Sequence, residues 1–406
     1  MAVGDGKLPE LHPVAGFRLG TTSAGIKRAG RQDLVLMEVC EGASVSGVYT
    51  RNAFCAAPVQ VAKKHCAEQA SRYLLVNTGN ANAGTGQQGL KDSLSCCKAV
   101  AELAGVAVEE VLPFSTGVIG EPLPVEKITA ALPGAMKQLS VDGWEKAASG
   151  IMTTDTRPKA ASLQLDFQGH KITVTGIAKG AGMIKPNMAT MLGYVATDAS
   201  VDKTVLDSII QQANNQSFNR ITVDGDTSTN DCCMLIATAK SSAPRVTSTS
   251  DDLYQPLLDA VTQVFIELAQ GLVRDGEGAN KFVTVAVSGG ATEQECLQVA
   301  YTVAESPLVK TALFASDPNW GRLLAAIGRA GLDNLDVNLV SVHLNDVLIA
   351  ERGCRAKSYT EEQGQAAMDK EEITIAIDLS RGEQQATVWT SDLSDEYVRI
   401  NAEYRT

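Results

Sequence analysis

Along this chain, short runs of apolar or alternating residues interleave with stretches of helical spacing, without a regular strand–helix–strand beat. The short runs predict strands at residues 34–39, 73–76, 162–167, 171–177, 192–196, 233–237, 282–287, 373–379 and 386–390. Gln168-Gly169 sits between two of these runs and predicts a hairpin turn. Helical spacing is clearest for Leu90, Leu94, Cys97 and Ala101, and again for Val201, Val205, Ile209 and Ala213. A third set is Leu257, Val261, Val264, Phe265 and Leu268. Hairpin-like strands followed by paired helices suggest antiparallel sheets covered by helices. Residues 240–252 are polar and read as a surface loop. No repeat of solenoid period is visible, and the segment after about Gly290 reads as a second subdomain.

Length and charge narrow the class. The 406 residues, 44% hydrophobic and 20% charged, have the profile of a soluble globular chain too long for one core. A net charge of −12 argues against a nucleic-acid partner, because phosphate contacts need clustered Lys and Arg. An anionic membrane surface is disfavoured for the same reason. No apolar run approaches the roughly 18 residues needed to span a bilayer. The first residues carry neither a basic nor an apolar signal region. The nine cysteines include the vicinal pairs Cys96-Cys97 and Cys232-Cys233, which match neither redox nor zinc spacing. They read as reduced, buried thiols, which points to the cytoplasm.

The most unusual stretch is KGAGMIKPNMATML at 179–192. Three small residues, then Pro186-Asn187, then Ala189-Thr190 lead directly into an apolar strand. Pro186 fixes its own φ and biases Lys185 toward extended geometry, and Asn187 tolerates turn conformations. Such a turn presents Thr190 at the start of the strand, with its hydroxyl able to reach the preceding carbonyl carbon. With strain and oxyanion donors assisting, the peptide converts to an ester that water releases. The new α-amine, with a reference pKa of about 7.7–8.0, then serves as base for the hydroxyl on the same residue. Thr also has fewer χ1 options than Ser, which helps hold one attack geometry. On spacing alone, a tight loop and nothing more is the favoured reading.

This stretch closely resembles the self-cleavage segment of the ornithine acetyltransferase (glutamate N-acetyltransferase) family of arginine biosynthesis. Further blocks resemble the same family: NTGNANAGTG at 77–86, STGVIGEPLP at 115–124, IMTTDTRPK at 151–159 and NRITVDGDTSTND at 219–231. RDGEGANKF at 274–282, DPNWGR at 317–322 and YVRINAEYRT at 397–406 complete the set in the family's order. One departure is Gly84, where many members carry cysteine.

The resemblance implies cleavage between Ala189 and Thr190 into an α piece, 1–189, and a β piece, 190–406. Thr190 is then the nucleophile that carries acetyl from N2-acetylornithine to glutamate in ping-pong fashion, with acetyl-CoA open as another donor. It implies oxyanion donors at Thr116 and Gly117, and substrate contacts at Thr153, Lys179, Thr190, Glu277, Asn401 and Thr406. Lys179 suits a substrate carboxylate and Glu277 the ornithine cation. The implied fold is an α+β protein: a layered αββα sandwich around the nucleophile, completed by 190–290, with a smaller α/β subdomain at 291–406. Two copies of each piece, and no metal or organic cofactor, are further implications. The STG block, Lys179, Glu277 and the tail would otherwise read as surface features.

Other readings are weaker. Gly84, Gly86 and Gly89 spell GxGxxG, but residues 77–83 separate them from the predicted strand end, and no ribose-binding acid is clear. DGDTSTND at 224–231 lacks the glycine and glutamate of a calcium loop, so an Asx-rich turn is favoured. His12, His65, His170 and His343 show no metal-ligand or triad spacing. Two rivals remain: an aminopeptidase or amidase with an N-terminal nucleophile, passing its acyl group to water, and a non-enzymatic dinucleotide-binding protein.

Overall fold

The computed structural model describes residues 2–28, 30–185 and 191–403. The first part runs β1 (Phe17–Thr22), β2 (Leu34–Val39), β3 (Ser44–Tyr49), α1 (Ala57–Glu68), β4 (Tyr73–Asn80), α2 (Gly86–Ala104), β5 (Val111–Val118), α3 (Val125–Lys137) and α4 (Trp144–Gly150). The middle adds β6 (Lys159–Phe167), β7 (His170–Lys179), β8 (Leu192–Thr197), α5 (Lys203–Gln216), β9 (Cys232–Ala237) and α6 (Tyr254–Arg274). The last part holds β10 (Phe282–Gly290), α7 (Glu293–Ala304), α8 (Pro307–Phe314), α9 (Trp320–Gly328), β11 (Ser341–Leu344) and β12 (Val347–Glu351). It ends with β13 (Cys354–Arg355), α10 (Glu361–Met368), β14 (Glu372–Asp378), β15 (Gln384–Ser391) and α11 (Asp395–Ala402).

Strand alternation stacks the layers. In β2, Val35, Met37 and Val39 face a core shared with a second sheet, while Leu34 and Leu36 face α2 and α3. In β9 the vicinal thiols separate in the same way, Cys232 into the inter-sheet core and Cys233 toward α5 and α6. The first sheet has the order β1-β2-β4-β5 and the second β3-β9-β8-β7-β6. Both are covered by helices on the outside, which is the expected αββα sandwich. Strands buried on both faces read as continuous apolar runs such as CCMLIA, which is why the sequence reveals them. The expected hairpin is present, with Phe167 opposite His170 and both Gln168 and Gly169 at positive φ.

Several expectations change. The sheets are mixed, since β4 with β5, β8 with β9 and β10 with β14 run parallel. Leu94 is 41% exposed, because α2 turns Gly89 and Ser93 inward to meet the buried Asn82 amide at 2.9 Å each. Val201 is not helical; it bridges to Val246, and α5 begins only at Lys203. That bridge buries Val246, so the stretch 240–252 is not wholly surface.

The third sheet, β13-β12-β11-β14-β10-β15, packs on α7 to α10 around its own apolar core. β10 lies inside this sheet, between β14 and β15, with Val283, Val285 and Val287 in that core. The boundary of the smaller subdomain therefore falls before Phe282, not after Gly290. Its partners are about 90 residues away in β14 and about 94 to 109 in β15, so no local pattern could reveal where β10 goes. α11 then returns to the sandwich, where Ser394 Oγ donates to Gly278 O at 2.7 Å.

Candidate active site

The site forms where β7 ends and β8 begins. Lys179 pairs with Leu192 across these antiparallel strands, so the two chain arms flanking residues 180–191 leave the sheet side by side. Facing them from the other sheet is the end of β5. There Thr116 and Gly117 lie in a strand, not the surface turn that STG spacing suggests, opposite Thr78 and Gly79 of β4. Gly117 adopts φ 137°, and a Cβ there would lie 2.3 Å from the Gly79 carbonyl carbon. Only glycine permits that backbone approach.

A cavity of about 300 Å³ opens between these elements. Thr116, Gly117, Thr153, Lys179, Glu277 and Asn401 all line it. These are the expected site residues that fall within the described part; Ala189, Thr190 and Thr406 lie outside the described residues. Lys179 and Glu277 are buried rather than solvated. Lys179 Nζ donates to Thr116 Oγ1 at 3.0 Å instead of standing free for a carboxylate. With a lone pair so occupied, the Thr116 hydroxyl keeps its own hydrogen for a second acceptor. Burial pushes the Lys179 pKa down, although the nearby Asp155 carboxylate opposes the shift.

Glu277 is held by Asn401, whose Nδ2 donates to Oε2 at 2.8 Å. Burial raises the Glu277 pKa against the hydrogen bonds from Thr154 and Asn401. Gly182 makes room for it: a Cβ there would sit 2.4 Å from Glu277 Oε2.

Beneath the cavity lies a buried group that sequence reasoning missed. Lys159 Nζ donates at 2.5 Å to both Asp155 and Asp275. Asp155 also accepts from the Thr153 amide at 2.8 Å and the Gly180 amide at 2.7 Å. Burial alone would raise the Asp155 pKa. The Lys159 and Lys179 charges and these hydrogen bonds override it and hold the carboxyl below the usual range. One carboxylate thereby orients two segments of the cavity wall. The IMTTDTRPK block contains Asp155 and Lys159 and the RDGEGANKF block contains Asp275, but nothing local pairs the two blocks across the 116 residues between Lys159 and Asp275.

Asn230 and Asp231 were also missed as site residues. Asn230 Nδ2 donates to Ala81 O and Ser115 O at 2.6 and 2.9 Å, joining the two sheets at the cavity. Asp231 is buried, and desolvation raises its pKa well above the ordinary carboxylate value despite the Ser228 hydrogen bond and Lys179.

The rival motifs resolve physically. β4, α2 and parallel β5 do make a strand–helix–strand unit, which the sequence left unclear. Its strand ends at Asn80 and Gly84 lies four residues on, while the next strand closes on Ser115-Thr116-Gly117 with no acid. His65 is a core histidine with Nδ1 2.8 Å from Val111 O. Among the described residues no group of three His, Cys, Asp or Glu side chains is arranged to hold a metal ion.

A sequence model of the ArgJ family matches residues 18–406. Two relatives named arginine biosynthesis bifunctional protein ArgJ align over the whole of both chains. The one from Pseudomonas syringae pv. tomato is 63% identical and the one from Psychrobacter arcticus 55%. The crystal structure of arginine biosynthesis bifunctional protein argJ from Bacillus halodurans is 33% identical with a TM-score of 0.50. That match covers 52% of this chain and 97% of the other.

Proposed function

The chain belongs to the ArgJ family, and from that premise we propose that it carries acetyl from N2-acetylornithine to glutamate through an ester on Thr190. The observation that supports this best is the convergence of Thr116, Gly117, Thr153, Lys179, Glu277 and Asn401 on one cavity beside the start of β8. Cleavage between Ala189 and Thr190 yields pieces 1–189 and 190–406. The freed amine of Thr190 takes the hydroxyl proton as Oγ1 attacks the acetyl carbonyl. The carbonyl oxygen becomes an oxyanion, which accepts from the Thr116 hydroxyl and the Gly117 amide. Lys179 keeps that hydroxyl aimed into the cavity, since its ammonium already occupies the other side of the oxygen. Ornithine leaves as its amine regains a proton, and the glutamate amine then attacks the ester.

Glu277 meets the side-chain cation of ornithine, and its bond to Asn401 brings α11 into the binding pocket, with Thr406 as a further contact. Two copies of each piece assemble, with no resident cofactor. Nine free cysteines fit a reducing cytoplasm. Acetyl-CoA is compatible as a second donor, in keeping with the bifunctional name of the relatives.

A direct test supplies N2-acetylornithine labelled in the acetyl carbons together with glutamate. The proposal requires label in N-acetylglutamate. Label appearing only in free acetate would favour the amidase reading.

A further inference from the structure

We infer that Asp224 is a positioning residue for self-cleavage, fastening the backbone immediately upstream of the scissile segment. This inference rests on the cleavage reading above. Its carboxylate accepts from the Met183 amide at 2.6 Å and the Ile184 amide at 2.9 Å. The same loop adds two more ties. Val223 N donates to Ile184 O at 2.7 Å, and Thr227 Oγ1 donates to Lys185 O at 3.2 Å. Downstream, Cys232 N donates to Met191 O at 2.9 Å. Both flanks of residues 186–190 are thus bound to one short stretch, 223–232. This stretch spans the DGDTSTND segment, 224–231, whose oxygen-rich pattern resembles a calcium loop.

Asp224 is spoken for by backbone rather than cation. Besides Met183 and Ile184, it accepts from the Asp226 amide at 3.2 Å and from Tyr397 Oη at 3.3 Å. The arm it holds is not one the chain adopts freely, because Met183 has φ 56°, a left-handed conformation that a side chain disfavours. Two adjacent N–H groups sharing one carboxylate make charge-assisted bonds that keep this turn in place. Attack of the Thr190 hydroxyl on the Ala189 carbonyl forms the Oγ1–C bond and breaks the C–N bond. The freed amine takes a proton, and water then hydrolyses the ester. Such an internal reaction is fast only when its flanking backbone is fixed.

The test follows newly synthesised full-length chain by intact mass for wild type, Asp224→Asn, Thr227→Val and Tyr397→Phe. Asp224→Asn keeps the shape but turns an amide donor toward a backbone donor, and should slow cleavage at least about tenfold. Tyr397→Phe removes a contact that does not touch the arm, and should cleave at the wild-type rate. The Asp224→Asn change is also placed in a Thr190→Ala background, where thermal unfolding checks that the uncleaved chain folds. Should it fail to fold, Thr227→Val carries the test, with cleavage slowed about threefold for one lost neutral bond. Cleavage at the wild-type rate in a folded Asp224→Asn chain, or in Thr227→Val if that stands in, overturns the inference alone. A wild-type chain that stays intact overturns the cleavage reading and this inference with it.

Discussion

The two arms that flank residues 186–190 are built on opposite principles. Downstream, β8 is buried along its whole length and laddered on both sides, antiparallel to β7 and parallel to β9. Its position is over-determined by many equivalent backbone bonds and by packing on both faces. Upstream, residues 180–185 have no ladder. Asp155 holds the Gly180 amide, Asp224 holds the next turn, and Lys185 Nζ reaches Glu305 at 2.9 Å. Glu277 joins in through its own amide, which donates to Ala181 O at 2.9 Å. A strand loses little when one side chain changes, whereas an arm held by a few single bonds, several of them from individual side chains, can be misplaced by one. Sensitivity of cleavage and transfer should therefore concentrate upstream, and loss of stability downstream.

The sharpest challenge to that contrast is Gly182→Ala. A methyl 2.4 Å from Glu277 Oε2 must displace either the turn or the carboxylate. Cleavage timed by gel should slow on the order of a hundredfold, the effect of a misplacement near 1 Å. Next in size is Glu277→Gln, which should raise KM for N2-acetylornithine about tenfold by removing a charged partner. It also carries a pH signature. Burial raises the Glu277 pKa, so as pH falls the carboxylate takes up its proton earlier than an exposed glutamate would. In wild type KM should rise along that acid limb, and in the Gln variant the limb should be absent. The smallest effect on cleavage is expected downstream. Leu192→Ala deletes a side chain 2% exposed in the inter-sheet core and should cost roughly 2–5 kcal/mol of stability. Its cleavage rate should stay within about threefold of wild type, because β8 keeps both ladders. A Leu192→Ala chain that folds but does not cleave would break the comparison.

Which parts were legible follows from the same division. Inner strands such as β8 and β9 announce themselves because burial on both faces demands an unbroken apolar run. The β6–β7 turn was readable because Gln168-Gly169 suits two successive left-handed residues. β5 was hidden, since Pro113 and the STG triplet look like a turn until a parallel neighbour accounts for them. α2 was seen but misoriented, because the buried Asn82 amide that turns it lies outside the helix. The site residues came from family blocks rather than from spacing. Lys179 bonds Thr116 across 63 residues and Lys159 bonds Asp275 across 116, separations at which no local signal exists. Asp224 was visible only as part of an acidic loop, and its role requires knowing which backbone amides arrive beside it.

All of this presupposes a chain that severs itself at one peptide bond, so intact mass spectrometry of purified wild type beside Thr190→Ala is the most direct measurement. Wild type should give masses for residues 1–189 and 190–406, and the variant a single 406-residue species. A fully active wild-type preparation consisting only of the uncut polypeptide would contradict self-cleavage.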